Sequence, residues 1–222
     1  MRLLDKGIKM NHKKIERIKR KYGLLTKIRR RNPYKAIMKK TAEHRTFENI
    51  LDRNFKQEKA SKALSTDITY LPYNGRMAYL SAVKDLATKE IVAWNISMQI
   101  NIDLALDTLE KLKGNGAISS LEGTLIHSDQ GFHYTNPEYI DSVKSMGMVQ
   151  SMSRKGNCID NAPIESFFGH FKDDVEYGSC KTFEELKTMV DGYMEYYNNE
   201  RHQWSIQKMT PVAYRNHLLL SV

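Results

Sequence analysis

The sequence predicts a mixed α/β fold: a five-stranded sheet flanked by helices, with a basic helical arm ahead of it. Three observations predict this. Residues 1–50 hold 17 Lys and Arg against 4 Asp and Glu, a net of +13, whereas the remainder nets −4 within an overall charge of +9. From Leu64 onward three strand-like runs follow one another, the first two joined by Asn74-Gly75, the strongest short hairpin signal. Beyond them the hydrophobic period alternates between helix and strand, as in a layered α/β sheet.

The arm comes first. Residues 11–22 read as a short helix, with Asn11 as its cap, Ile15, Ile18 and Tyr22 on one face and Gly23 closing it. The other faces carry Lys13, Lys14, Arg17, Lys19, Arg20 and Lys21, and Lys27 to Pro33 form a basic linker broken by proline. Such a density of positive charge suits a phosphate backbone; the plainer alternative is a solvated tail. One amphipathic helix cannot bury a core alone, so the arm reads as part of a helical DNA-binding unit. We expect residues 1–58 to be arm and linker, and residues 59–222 to be the main domain.

The strands are expected at 65–72, 77–84 and 90–97, rich in Thr, Ile, Tyr and Val. A helix over about 102–113 places Ala105, Leu109 and Leu112 together and stops at Gly114-Asn115-Gly116. Leu125-Ile126 reads as a short buried strand running into His127-Ser128-Asp129. Asn136-Pro137-Glu138 is an N-cap followed by proline at the first helical position, opening a helix that stops at Gly147. Residues 148–151 supply the fifth strand. After a polar loop, a helix beginning near Asp160 or Asn161 aligns Ile164, Phe167, Phe168, Phe171 and Val175 on the side facing the sheet. Thr182 to Glu185 form a capping box for a helix burying Leu186, Met189, Tyr193 and Tyr197. Thr210-Pro211 starts a last helix to about Leu220.

Composition removes several classes. A hydrophobic content of 41% supports a packed core, yet no stretch reaches the roughly 18 apolar residues of a membrane span. The opening residues lack a secretory apolar run. Cys158 and Cys180 make no CxxC pair, and the seven histidines no zinc spacing. A reduced, cytoplasmic protein is expected.

Three acids mark three of these segments: Asp67 in Thr-Asp-Ile-Thr-Tyr, Asp129 in His-Ser-Asp-Gln-Gly and Glu165 in Pro-Ile-Glu-Ser-Phe-Phe, separated by 62 and 36 positions. Among 26 acids, spacing alone carries little. Context carries more. Asp67 sits mid-strand, where aspartate is disfavoured, and Asp129 ends an apolar strand, where α/β sheets place ligand groups. Hard divalent cations take carboxylate oxygens, and pairs of Mg²⁺ ions serve phosphoryl transfer. Lys172, seven residues after Glu165, stands nearly above it on the helix; the bland alternative is an exposed pair too distant for an ion pair.

The segments Thr66-Asp67-Ile68-Thr69-Tyr70, His127-Ser128-Asp129-Gln130-Gly131, Ser151 to Asn157 and Asp160 to Phe168 closely resemble the transposases of bacterial insertion sequences, of the orfB type, with a retroviral-integrase-like core. The resemblance runs from about Lys13 to Tyr214. It implies a ribonuclease-H-like fold and a DDE site using Mg²⁺ or Mn²⁺, with two ions held by Asp67, Asp129 and Glu165. It matches Lys172 to the family's basic residue seven places after the glutamate. Arg154 and Lys155 are then expected to follow the DNA backbone, and His127, Gln130, His133 and Asn161 to take supporting places.

This resemblance implies metal-dependent cleavage at DNA 3′ ends and strand transfer. It also implies insertion-sequence ends and target DNA as partners, at least a homodimer, and a bacterial, nucleoid-associated location. The family usually carries a complete helix-turn-helix before the core, and this chain opens in what resembles its second half. That departure raises a partner protein from another reading frame. It also raises the alternative of a truncated, non-catalytic DNA-binding remnant, against which the survival of all three acids and Lys172 argues. A host nuclease of the same fold is a weaker rival, because residues 151–168 resemble insertion-sequence proteins.

Overall fold

The protein is described by a computed structural model covering residues 6–24 and 46–220. The basic linker expected at Lys27 to Pro33 lies outside the described residues.

Helix α1, His12–Lys21, begins where Asn11 accepts a hydrogen bond from the Lys13 amide at 3.0 Å and ends before Gly23, whose φ is +67°. Its residues Lys13, Lys14, Arg17 and Arg20 are exposed, and none of its side chains is buried. An amphipathic helix this short draws little stability from itself.

The main body is a five-stranded sheet of order β3-β2-β1-β4-β5, comprising β1, Ala63–Tyr73, β2, Arg76–Asp85, β3, Ile91–Ser97, β4, Leu125–Ser128, and β5, Val149–Met152. The first three strands form an antiparallel meander. The β1–β2 turn places Asn74 and Gly75 at φ +41° and +69°, the left-handed conformations of a two-residue hairpin that glycine adopts without penalty. The other two strands run parallel to β1 and to each other, which requires helical crossovers.

Those crossovers are α2, Ile102–Lys113, and, after the short α3, Phe132–Thr135, the helix α4, Pro137–Ser145. Asn136 caps α4 by accepting from the Glu138 amide at 2.9 Å, with proline in the first turn as expected. Helices α2 and α4 bury Leu109, Leu112, Tyr139 and Val143 against one face of the sheet. The opposite face is covered by α5, Ala162–Asp174, and α6, Phe183–Asn199. There Ile164, Phe167, Phe168 and Phe171 meet Leu71, Leu80 and Ala82 of the sheet and Tyr193 and Tyr197 of α6. Complete burial of each aromatic contributes roughly 1.5–3 kcal/mol. The last helix is α7, Pro211–Leu220.

Three details differ from the sequence reading. Helix α5 ends at Asp174, and Val175 is extended, packing on the core from outside the helix. Helix α3 is additional; its four residues are too few to show a period. At α6 Thr182 accepts from the Glu185 amide at 3.1 Å, but Glu185 reaches back to the Lys181 amide at 2.8 Å, one residue before the cap.

Candidate active site

The sheet register brings two of the three acids together. In the antiparallel pair Asp67 stands opposite Ala82, and directly opposed residues share a face. Ala82 lies in the cluster containing Ile164, Phe167 and Phe168, so Asp67 projects toward α5. In the parallel pair Ser65 is level with His127. Two further residues along each strand carry Asp67 and Asp129 to neighbouring positions at one end of the sheet. Both carboxylates lie within electrostatic reach of the Tyr134 and Tyr70 hydroxyls. Burial above all, then neighbouring charges that include these two acids, raises both tyrosine pKa values.

Glu165 arrives from the other side. Asn161 heads α5 but does not cap it; its side-chain amide donates 3.1 Å to the Thr66 carbonyl, adjacent to Asp67. Residues four apart share a helix face, and Glu165, in the first turn, follows Asn161 by four. Asp67 and Glu165 are half-buried and Asp129 is exposed, so the group is open to solvent. Lys172 is half-buried near the other end of α5.

The carboxylates are held by their own main chain. Asp67 accepts from the Ile68 amide at 2.8 Å, and Asp129 from the Gly131 amide at 2.9 Å. A Cβ at residue 131 would stand 2.8 Å from the Asp129 carboxylate, which would have to shift to admit it. Among the described residues no three His, Cys, Asp or Glu side chains are gathered closely enough to hold a metal ion. The donor chemistry nevertheless fits a hard divalent cation: two carboxylates come to one end of the sheet on neighbouring strands, and the helix packed on that face carries a third.

The expected supporting residues have definite places. His127 is fully buried beneath the site, with Nδ1 2.9 Å from Ser151 Oγ, and burial pushes its pKa down to about 4, leaving it neutral. Gln130 donates 3.1 Å to the Ser153 carbonyl and ties the loop after β4 to that after β5. His133 is buried between Phe132 and Tyr134, its pKa lowered by that burial. Arg154, expected with Lys155 to follow the DNA backbone, is exposed and donates to Asp160 through Nε at 2.9 Å and Nη2 at 3.0 Å. Lys155 is exposed.

Two features escaped the sequence reading. Asp160 is completely buried and held by arginines, and hydrogen bonds from Arg154 foremost keep its carboxyl well below the usual range. Lys84, buried in β2, donates 3.1 Å to the Pro163 carbonyl in the first turn of α5 and stands over Phe167 and Tyr197. Its only signal was a lysine within the apolar run Ser-Ala-Val-Lys-Asp-Leu-Ala.

The described residues contain no helix long and apolar enough to cross a membrane. Comparison with known proteins agrees with the geometry. The integrase core domain matches residues 57–158, and a second model of the same description matches 165–219. A transposase-like protein of Haemophilus influenzae is 35% identical over 227 residues, covering 97% of this chain and 98% of that protein. The putative transposase InsK for insertion sequence element IS150 of Escherichia coli is 35% identical over 213 residues, covering 95% of this chain and 73% of its own. The HTLV-2 integrase catalytic core domain, solved in complex with magnesium as a trimeric form, superposes with a TM-score of 0.54 at 15% identity. It covers 71% of this chain and 97% of that one, and at that identity the likeness speaks for the ribonuclease-H-like fold alone. Sheet order, matched domains and full-length relatives agree, and the chain belongs to the integrase-core transposases of bacterial insertion sequences.

Proposed function

We propose that the protein cleaves DNA at the 3′ ends of its insertion element and joins them to target DNA, with Asp67, Asp129 and Glu165 as ligands for Mg²⁺ or Mn²⁺. The observation that carries this reading is the meeting of β1, β4 and α5. Strand register supports Asp67 and Asp129 as neighbours, and the Asn161–Thr66 bond ties the residue preceding α5, the helix that carries Glu165, to the strand residue before Asp67.

A bound pair of divalent ions would supply activation of the attacking oxygen and charge stabilisation for the departing 3′ oxygen. The chain's own residues then have simple tasks. Asp67, Asp129 and Glu165 would hold the ions, presenting hard oxygen donors at an open edge. Neutral His127 supports β4 from below without taking a proton. Lys172 meets a phosphate near the scissile bond, and Lys155 with the exposed basic face of α1 follows the backbone. No side-chain general base is required, since positioning and electrostatics carry the reaction. Joining two ends calls for at least two copies of the chain.

A non-catalytic DNA-binding remnant is not favoured: the four matching segments and all three acids are present, and integrase-core models match residues 57–158 and 165–219. The test is cleavage and strand transfer of a labelled duplex ending in the element's flanking repeat, with Mg²⁺ and with Mn²⁺, beside Glu165→Gln. Metal-dependent product that disappears in the variant is the expected result. Salt-sensitive binding with no product under either metal would overturn the reading.

A further inference from the structure

A heavily bonded carboxylate lies outside the trio. Five hydrogen bonds converge on Asp160, from Asn49 Nδ2 at 3.1 Å, Arg53 Nε at 2.7 Å, and the Arg154 amide, Nε and Nη2 at 3.0, 2.9 and 3.0 Å. Its side chain has no exposure, whereas Arg53 and Arg154 keep 42% and 52% of theirs. A buried carboxylate costs several kcal/mol unless charged donors surround it, so this arrangement holds the surrounding segments firmly.

Those segments are separate in sequence. Asn49 and Arg53 belong to the stretch leading from the basic arm into β1. Arg154 follows β5, and Asp160 immediately precedes Asn161 and the helix that bears Glu165. The leading stretch is fastened at neighbouring points as well: the Ile50 and Leu51 amides donate to Ser151 Oγ at 3.0 and 3.2 Å, and the Met152 amide donates to the Glu48 carbonyl at 3.2 Å. Asp52 and Arg53 adopt φ of +39° and +62°, which costs non-glycine residues of order 1–3 kcal/mol each. The turn bends unfavourably to bring Arg53 onto Asp160.

We propose that Asp160 is a positioning residue for the carboxylate trio. By gripping Asn49 and Arg53 ahead of the sheet and Arg154 behind it, it fixes where α5 begins, and therefore where Glu165 stands relative to Asp67 and Asp129. The grip also joins the chain that continues into the basic arm to the turn that sets Glu165. This inference rests on the assignment of the three acids as metal ligands.

The test uses Arg53→Ala, Arg53→Lys and Glu165→Gln, alone and combined, in the full chain. Mn²⁺ affinity is read by titration, and amide hydrogen exchange is followed across residues 158–166. Loss of a group that orients metal ligands typically weakens affinity by 10–100-fold. We therefore expect Arg53→Ala to weaken Mn²⁺ binding by roughly tenfold or more and to speed exchange at the start of α5, with Arg53→Lys recovering part of both. In the Glu165→Gln background Arg53→Ala should add little, because it acts through that carboxylate. Asn49→Ala, which removes one neutral donor, replaces Arg53→Ala if that variant does not fold. Unchanged Mn²⁺ affinity and exchange, or an equal loss in the Glu165→Gln background, overturns the positioning role and leaves the acids' assignment standing. A wild-type chain that neither binds Mn²⁺ nor cleaves DNA overturns both.

Discussion

The Asn161 side-chain amide spans 3.1 Å to the Thr66 carbonyl, linking the residue that heads one helix to the strand residue beside Asp67. Helix and strand are 95 residues apart in sequence, and the bond is buried. It converts the start of α5 from a surface feature into a fixed wall of the site. Replacing Asn161 by alanine removes a buried neutral bond, for about 1–2 kcal/mol of stability. Asn161→Asp should cost more, since it sets an acceptor against an acceptor. Urea unfolding will rank the two, and the reverse order would show that the anchor contributes nothing.

Asp129→Asn preserves shape while removing a charge, and asparagine is a much poorer ligand for a hard cation. Cleavage of the labelled duplex should vanish, with DNA retention in a filter or mobility assay undiminished or strengthened. Mg²⁺-dependent cleavage surviving in the variant would take Asp129 out of the site.

On the proposed function, the arm acts through its charge. Replacing Lys13, Lys14, Arg17 and Arg20 with glutamine should flatten the dependence of DNA affinity on salt, by roughly 0.9 in logarithmic slope for each phosphate no longer neutralised. A parallel shift of the line, with its slope intact, would assign phosphate binding to other parts of the chain.

Lys84 makes stability depend on pH. Burial first, then repulsion from Lys89 and Arg201, brings its pKa from the ordinary 10.5 down to about 7. Below about 7 the lysine is charged both folded and unfolded, and the fold bears the whole cost of burying that charge. From there toward 10.5 the unfolded chain still binds the proton and the folded one does not, so stability from this group rises with pH. Lys84→Met should remove that rise and stabilise the protein near neutrality by ~1–3 kcal/mol. Melting curves at several pH values between about 6 and 9 check this, and a pH-independent difference between the two proteins would refute it.

Arg215 of α7 donates to Glu90 at 2.6 Å, with 18% and 7% of the two side chains exposed. Burial raises the Glu90 pKa despite the opposing pull of Arg215. Arg215→Met alone strands a buried acid and should cost about 3–5 kcal/mol, most of which Glu90→Leu in the same chain should restore. A thermal denaturation cycle over the four proteins decides it; failure of the double variant to recover would show that α7 is held by other contacts.

The pattern of these predictions follows what the sequence made legible. Helix and strand positions came from local signals, such as the Asn136-Pro137 cap and the Asn74-Gly75 turn, whose physics is complete within a few residues. Asp67 and Asp129 stood out because aspartate in or just after an apolar strand conflicts with local preference. Lys84 did not stand out, since helices cover both faces of the sheet and β2 is buried almost continuously, so no alternation marked its direction. The partner of Arg154 was also hidden. Read locally, Arg154 and Lys155 form a basic loop, and Asp160 belongs to a helix start. Only the folded chain brings Asn49 and Arg53 to the same carboxylate.

Asn198 near the end of α6 accepts from the Ile91 amide and donates to the Ile91 carbonyl, both at 2.9 Å. One side chain thus imitates the main chain of an absent neighbouring strand at the start of β3, an outer strand of the sheet. Unpaired outer strands invite other chains to add to them, with aggregation as the result. At this corner the invitation is withdrawn, because Asn198 already occupies the main-chain groups to which an added strand would bond.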